Sequence, residues 1–213
     1  MIKAILLDFD GTIMNTPPVI IESWQYAARI ILGHELPYED VVASFGEPIF
    51  VTIENLFKGA DPQLVLKTYL DYSLHLEKDA IKMFPGMKEL VLKLKELGYM
   101  VAMVTTRVWK RMHYEVYDFH IFDEFDAVVS GEDCTKHKPD PEPCLIALDR
   151  LGISADEAIM VGDTNMDLEC AHNAGIKCAL VRWSLNASDE DFAAADFILE
   201  TPEDLFKYLN ICA

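Results

Sequence analysis

The sequence is short of several features, and each absence argues against a class of protein. No apolar stretch approaches the roughly 20 residues that a membrane-spanning helix requires, and acidic residues occur within the first ten positions, which is not typical of a signal peptide. The five cysteines form no Cys-x-x-Cys pair, so the pattern indicates neither a disulfide framework nor a zinc site. We therefore expect a cytoplasmic protein with reduced thiols that does not enter membranes.

Basic residues are also scarce. The chain of 213 residues has 18 Lys and Arg against 36 Asp and Glu, which gives a formal net charge of −18 at pH 7. Proteins that bind nucleic acid or anionic membranes need a basic surface, so we predict neither partner. The same acidity would repel a phosphorylated substrate, and binding one would need local positive charge from a metal ion or a lysine.

The most informative pattern lies in the first twelve residues. An apolar run at residues 4–7 ends in Asp8, Phe9 and Asp10, with Gly11 directly after them. Such a run is typical of a strand that is buried on both faces of a parallel sheet. Strand alternation directs Asp8 and Asp10 to the same side, at the carboxyl edge where open α/β sheets bind ligands. A solvated strand end with ordinary turn residues is the alternative interpretation.

A second group of acids follows another apolar run. Residues 158–161 lead into Gly162 and Asp163, and Asp167 comes one helical turn later. If a helix begins near Thr164, capping would explain Asp163 but not the additional acid. Four carboxylates from two neighbouring strand ends would repel one another without a counter-ion, and hard oxygen ligands suit Mg²⁺. A magnesium site is predicted, provided that the two strands are neighbours.

The order of predicted elements indicates an α/β fold. Helix and strand alternate from about residue 86 onwards, which predicts right-handed β-α-β units and a Rossmann-like, mostly parallel sheet. Residues 17–82 show helical periodicity only, so we predict an inserted α-helical cap at 16–82 and a core of 1–15 and 83–213. The later strands are predicted at 100–104, 127–129, 158–161, 178–181 and 197–199, and helices at 20–31, 38–44, 48–57, 62–76, 86–97, 109–118, 141–151, 166–174 and 202–209.

Four segments in order resemble the motifs of the haloacid dehalogenase (HAD) superfamily, whose members are mainly phosphatases with an aspartate nucleophile. Residues 8–12 resemble the first motif, and Thr105 at a strand end resembles the second. Lys138 just before a predicted helix resembles the third, and Asp163 with Asp167 resembles the fourth. The resemblance covers nearly the whole chain, and the helical insertion has the size of the cap called C1 in HAD enzymes.

The resemblance implies a mechanism. Asp8 would attack the phosphoryl group, and Asp10 would protonate the leaving oxygen and then activate a water molecule. Mg²⁺ would be held by the Asp8 carboxylate, the Asp10 backbone carbonyl and Asp163, with Asp167 orienting these ligands from outside. Lys138 would offset negative charge on the transferring oxygens.

The resemblance also implies substrate contacts. Thr105 and Thr106 would bind phosphate, and the turn that contains Gly46 and Glu47 would contact the leaving group. A simple helix–helix turn explains those two residues equally well. Lys136 competes for the role of the catalytic lysine, but we expect it to be solvated.

These observations predict a Mg²⁺-dependent phosphatase that hydrolyses a small-metabolite phosphate monoester, similar to phosphoglycolate, as a monomer or homodimer. An inorganic pyrophosphatase and a mutase similar to β-phosphoglucomutase are alternatives with the same fold, and Thr12 modestly favours a hydrolase over a mutase. The acid at position 10 argues against halide displacement. A non-catalytic binding protein would be expected to have lost at least one of the motif acids or the lysine, and all are present.

Overall fold

A parallel β-sheet forms the centre of the protein, whose computed structural model describes residues 1–108, 121–184 and 186–209, without the side chains of 77–79. Six of the strands in these ranges form one sheet in the order β5-β4-β1-β6-β7-β8, with every neighbouring pair parallel. The strands are β1 (Ala4–Leu7), β2 (Met14–Asn15), β3 (Lys82–Met83), β4 (Met100–Val104), β5 (Ala127–Val129), β6 (Ala158–Gly162), β7 (Lys177–Val181) and β8 (Phe197–Leu199).

Some of the helices pack around this sheet, and others make up the segment between β2 and β3. The bounds of most helices are close to those predicted. The predicted helix at 109–118 lies outside the described residues, and the prediction for 202–209 is replaced by a 3₁₀ turn at Pro202–Asp204 and a short helix. One helix, α8, was not predicted; it is six residues long and buries a single side chain, Phe192. The helices are α1 (Pro17–Ile31), α2 (Tyr38–Ala43), α3 (Ile49–Leu56), α4 (Pro62–Ala80), α5 (Met87–Glu96), α6 (Glu142–Leu151), α7 (Asn165–Asn173), α8 (Asp189–Ala194) and α9 (Leu205–Tyr208).

Strand β1 is buried on both faces, as its apolar run predicts. Ile5 and Leu7 belong to the apolar cluster on one face of the sheet, and Ala4 and Leu6 belong to the cluster on the other. The register pairs Leu7 with Val161 of β6. Since β1 and β6 are adjacent, their carboxyl ends lie side by side, which is the condition on which the magnesium prediction depends.

Helices α1 to α4 have an apolar cluster of their own. In it the ring of Trp24 stacks on that of Tyr69, with their centroids 4.0 Å apart, and Phe57 packs against the same indole. A two-stranded antiparallel ladder of β2 and β3 joins this helical segment to the rest of the chain. The sequence did not predict this ladder, and the predicted domain boundaries fall within it; the division into cap and core stays a prediction.

Within the described residues, no helix is both long enough and apolar enough to cross a membrane.

Candidate active site

The end of β1 places Asp8 at the carboxyl edge of the sheet. The Asp8 amide donates to the carbonyl oxygen of Val161 over 2.9 Å, which continues the pairing with β6 beyond the last strand residue. The side chain is 7% exposed, while Phe9 packs in the cluster on the opposite face. The chain then turns sharply, because Gly11 has φ +75° and donates its amide hydrogen to Met14 over 2.8 Å.

Lys138 binds both Asp8 and Asp167. Its Nζ lies 2.7 Å from Asp8 Oδ1, 2.5 Å from Asp167 Oδ1 and 2.8 Å from the carbonyl oxygen of Val104. All three ammonium hydrogens therefore have acceptors, and the residue is buried. Lys136, the competitor, has a side chain that is 70% exposed.

Asp167 lies at the first turn of α7 and holds that turn in place. Its Oδ2 accepts hydrogen bonds from the Thr164 hydroxyl (2.7 Å), the Thr164 amide (3.1 Å) and the Asp163 amide (3.2 Å). Thr164 is the N-cap residue and forms a capping box with Asp167. The capping hypothesis for Asp163 is thus wrong, because the helix begins one residue later than that hypothesis requires.

Within the described residues, only one of the two carboxylate oxygens of Asp163 accepts hydrogen bonds. Its Oδ2 accepts a 2.7 Å hydrogen bond from Ser184 and a further one from Asn186. Its Oδ1 is buried and has no hydrogen-bond partner among the described residues. No sequence pattern marks Ser184 and Asn186, although both follow the end of β7, which ends at the same edge of the sheet as β1 and β6.

The acids form a group that suits a cation. Asp8, Asp163 and Asp167 each offer a carboxylate oxygen within 4.8 Å of the other two, and all three are buried. A buried carboxylate oxygen without a partner is costly, so the free Oδ1 of Asp163 fits a hard divalent cation such as Mg²⁺. Asp167 is already saturated by hydrogen bonds, which suits an orienting role better than direct ligation.

Asp10 lies outside this carboxylate group and pairs with Arg107. The Arg107 Nε is 2.8 Å from Asp10 Oδ2, and its guanidinium carbon is 5.6 Å from the ring centroid of Phe9. Asp10 Oδ1 is buried without a hydrogen-bond partner among the described residues. Arg107 is not among the predicted site residues, although it directly follows the predicted phosphate-binding threonines.

The two threonines after β4 have different positions. Thr106 lines the cavity that lies over these groups, whereas Thr105 does not. The Thr105 hydroxyl accepts a 3.2 Å hydrogen bond from the Arg107 amide and so shapes the turn. Phosphate binding by either residue stays a prediction.

A cavity of about 550 Å³ lies over these groups. Gly46 and Glu47 of the helical segment line one part of it, and the catalytic candidates at the sheet edge line another. Gly46 has φ +83°, and a Cβ there would lie 3.2 Å from Met166 and 3.4 Å from the Thr164 hydroxyl. The turn between α2 and α3 therefore touches the start of α7. The candidates at the sheet edge that line the cavity are Asp8, Asp10, Thr106, Lys138, Asp163 and Asp167.

Burial shifts the ionisation of these groups. It raises the pKa of Asp8 to about 7, although the charge of Lys138 opposes the shift. Burial, with the charges of Asp167 and Asp8, also raises the pKa of Asp163 well above its usual range. Burial alone would lower the pKa of Lys138, but Asp167 and Asp8 outweigh it and hold that pKa well above normal. The lysine is thus a permanent positive charge, and the acids need a further cation to be ionised together.

The parallel sheet, the buried acids with their lysine at its carboxyl edge and the cavity above them define an α/β enzyme with carboxylate chemistry. Residues 5–181 match the family model described as haloacid dehalogenase-like hydrolase. The chain belongs to this HAD-like hydrolase family. The predicted family, α/β fold and enzyme class are confirmed.

Similar proteins carry phosphatase or pyrophosphatase names. The PpaX protein of Caldanaerobacter subterraneus subsp. tengcongensis is 37% identical over 99% of this chain and 96% of its own. Pyrophosphatase PpaX of Bacillus velezensis is 31% identical over 99% of this chain and 97% of its own. The crystal structure of a predicted phosphoglycolate phosphatase from Haemophilus somnus matches with a TM-score of 0.84 at 21% identity, over 98% of each chain, and this likeness supports the fold alone.

Proposed function

We propose that this HAD-like hydrolase is a Mg²⁺-dependent phosphatase that acts on a small phosphorylated compound through an aspartyl-phosphate on Asp8. The observation that carries the proposal is the convergence of Asp8, Lys138 and Asp163 on the floor of one cavity. A monomeric or homodimeric state and a cytoplasmic location stay predictions.

The residues have distinct parts in the proposed reaction. An Asp8 oxygen forms a bond to phosphorus while the bond from phosphorus to the leaving oxygen breaks, and Asp10 gives that oxygen its proton. Asp10 then takes a proton from water as the water attacks phosphorus, which releases phosphate and restores Asp8. Arg107, paired with Asp10 Oδ2, leaves the other carboxylate oxygen free for this proton.

Mg²⁺ would be held by Asp8, by the Asp10 backbone carbonyl and by Asp163, and would supply electrostatic stabilisation of the phosphoryl oxygens. Lys138 supplies positive charge beside the attacking carboxylate, and its hydrogen bond to Asp8 fixes the direction of attack. Asp167 positions Lys138 and the chain at Asp163 through its hydrogen bonds.

Inorganic pyrophosphate is a second candidate substrate. The specific observation in its favour is that relatives named as PpaX pyrophosphatases match nearly the whole of this chain at 30% identity or more. The chemistry of Asp8 and Asp10 would be the same, with phosphate in place of an alcohol as the leaving group.

The nucleophile assignment predicts that Asp8→Asn lowers kcat for p-nitrophenyl phosphate by at least about 1,000-fold, because the amide oxygen is a poor nucleophile. Asp149→Asn removes an exposed acid on α6 and is the control with the same charge change; it should retain full activity. EDTA should abolish the activity of the wild-type enzyme, and added Mg²⁺ should restore that activity. Activity of Asp8→Asn within tenfold of wild type would reject Asp8 as nucleophile.

A further inference from the structure

The wall of the cavity opposite the catalytic acids is formed largely by apolar side chains of the helical segment. Trp24 is almost fully buried yet borders the cavity, and Phe50 is 51% exposed at its rim. Apolar walls of this kind favour apolar ligand groups and penalise buried charge. The apolar lining includes Ile20, Trp24, Phe45, Ile49, Leu66 and Leu70.

Glu47 is the charged residue in this wall, among the residues that the structure describes. Its Oε2 is 3.3 Å from the Thr52 hydroxyl, and its Oε1 is 3.4 Å from the Asn55 amide nitrogen. Both partners are neutral donors, so within the described ranges no cation compensates this carboxylate. An anionic group at this end of the cavity would meet like charge instead of a counter-charge.

The cationic side chains that line the cavity, in the described part of the chain, lie on the catalytic side. Lys138 is held between Asp8 and Asp167, and Arg107 is paired with Asp10. Lys138 therefore matches a phosphoryl group bound at Asp8. Arg107 lies nearer the leaving group, but its charge is offset by Asp10, so the described residues give a second anionic group there no net positive charge.

Resting on the phosphatase function proposed above, we infer that the cavity selects phosphate monoesters with an apolar leaving group that carries no negative charge. Pyrophosphate, whose leaving group is phosphate, and phosphate esters of carboxylated alcohols fit the wall poorly. Glu47 excludes such anions, and the apolar side chains bind the organic part of the preferred ester.

The test compares benzyl phosphate with 4-carboxybenzyl phosphate, whose leaving alcohols are of similar basicity and differ by one negative charge. The wild-type enzyme with Mg²⁺ should show a kcat/KM at least about tenfold higher for benzyl phosphate, because like charges repel in the cavity. Benzyl phosphate should likewise be preferred over pyrophosphate. p-Nitrophenyl phosphate serves as the independent test of phosphatase activity.

Glu47→Gln should reduce the preference for benzyl over 4-carboxybenzyl phosphate by about tenfold, since it removes the repelling charge. Glu54→Gln, an exposed position on α3, is the control with the same charge change and should keep the wild-type ratio. Leu66→Ala should reduce the preference for benzyl over ethyl phosphate severalfold, whereas Leu64→Ala, which is 52% exposed on the same helix, should not.

The outcomes separate the two proposals. If p-nitrophenyl phosphate is turned over but 4-carboxybenzyl phosphate or pyrophosphate matches or exceeds benzyl phosphate, the leaving-group inference is overturned and the phosphatase function stands. An unchanged ratio in Glu47→Gln also overturns it. If none of the esters is hydrolysed with Mg²⁺, the phosphatase function itself is wrong.

Discussion

At the residue scale, the position of one glycine decides whether the acids can come together. A Cβ at Gly11 would lie 1.9 Å from Asp163 Oδ2 and 2.9 Å from the Ser184 hydroxyl. No side chain fits there without displacing the carboxylate. The turn after β1 can therefore pass beside Asp163 only because position 11 has no side chain. The left-handed backbone at this position is a second reason for glycine.

We predict that Gly11→Ala lowers the free energy of unfolding by at least about 3 kcal/mol, which combines the cost of left-handed alanine with a steric clash. It should also weaken Mg²⁺ binding, because Asp163 must move. Gly98→Ala is the matched control: φ is +83°, but nothing lies within 4 Å of the added Cβ. That variant should lose only about 1–2 kcal/mol and bind Mg²⁺ normally.

Urea unfolding and calorimetric titration with Mg²⁺ would measure both effects. Equal losses of stability in the two variants, with equal Mg²⁺ affinity, would contradict the proposed role of Gly11.

At the scale of elements, the N-terminus of α7 couples helix stability to the candidate site. Asp167 closes the capping box with Thr164 through one carboxylate oxygen and binds Lys138 through the other. The same residue thus begins a helix and orients a catalytic candidate. Helix α8 has the same kind of capping box, formed by Ser188 and Asp191, but in the described part of the chain Asp191 binds no lysine.

This difference predicts that Thr164→Ala costs about 1 kcal/mol of stability and lowers kcat/KM by about tenfold, because Asp167 loses the hydroxyl that orients it. Ser188→Ala should cost a similar amount of stability with activity unchanged. Thr164→Ser should restore both properties. Thermal unfolding and p-nitrophenyl phosphate kinetics would test this, and full activity in Thr164→Ala would contradict it.

At the scale of the whole molecule, a small part of the excess negative charge lies buried where the protein needs a cation. The formal charge of −18 includes three buried acids in contact range, against one buried lysine between two of them. Some surface acids have a pKa that is lowered by a hydrogen bond from a lysine, in contrast to the raised pKa values of the buried Asp8 and Asp163. Glu157, for example, pairs with Lys3, which lowers its pKa to about 2, so its contribution to stability is complete above pH 4.5 and is lost only as the pH falls towards 2.

These shifts predict an unusual pH dependence for the metal-free protein. The pKa of Asp8 is raised from 3.8 to about 7, so between these values the folded state binds a proton that the unfolded chain has lost. Stability should therefore fall as the pH rises from about 5 to 7, by up to about 1.4 kcal/mol per pH unit from Asp8 alone, and Asp163, whose pKa burial also raises, should steepen the fall. Lys138 stays charged throughout this window and does not alter the slope.

Mg²⁺ should reverse the trend, because ligand carboxylates must be deprotonated to bind it. The rise in Tm on adding Mg²⁺ should therefore grow from pH 5 to 7.5, and Asp8→Asn should reduce the slope in EDTA to the part that Asp163 contributes. Thermal unfolding in EDTA and in Mg²⁺ at four pH values would measure this. A slope in EDTA that is the same for wild type and Asp8→Asn would show that Asp8 does not titrate in this range.

The strands of the sheet were largely predictable, although their order was not, because each buried strand is a short apolar run with its own sequence signature. Residues 100–104, 127–129 and 197–199 were predicted with the bounds that the structure has. The ladder of β2 and β3 was not, since strands of two residues have no detectable period and form only when the two chain segments are brought together.

The sequence by itself determined the α/β class through the alternation of helix and strand, and it marked the acids that follow two buried strands, because strand ends of a parallel sheet meet at one edge. Only the tertiary structure decided that β1 and β6 are neighbours and which groups support the acids. Arg107, Ser184 and Asn186 are loop residues whose partners are distant in the chain, so no local periodicity marks them. The apolar wall facing Asp8 could not be predicted from the sequence either, because helical spacing does not distinguish a side chain in a core from one that borders a cavity.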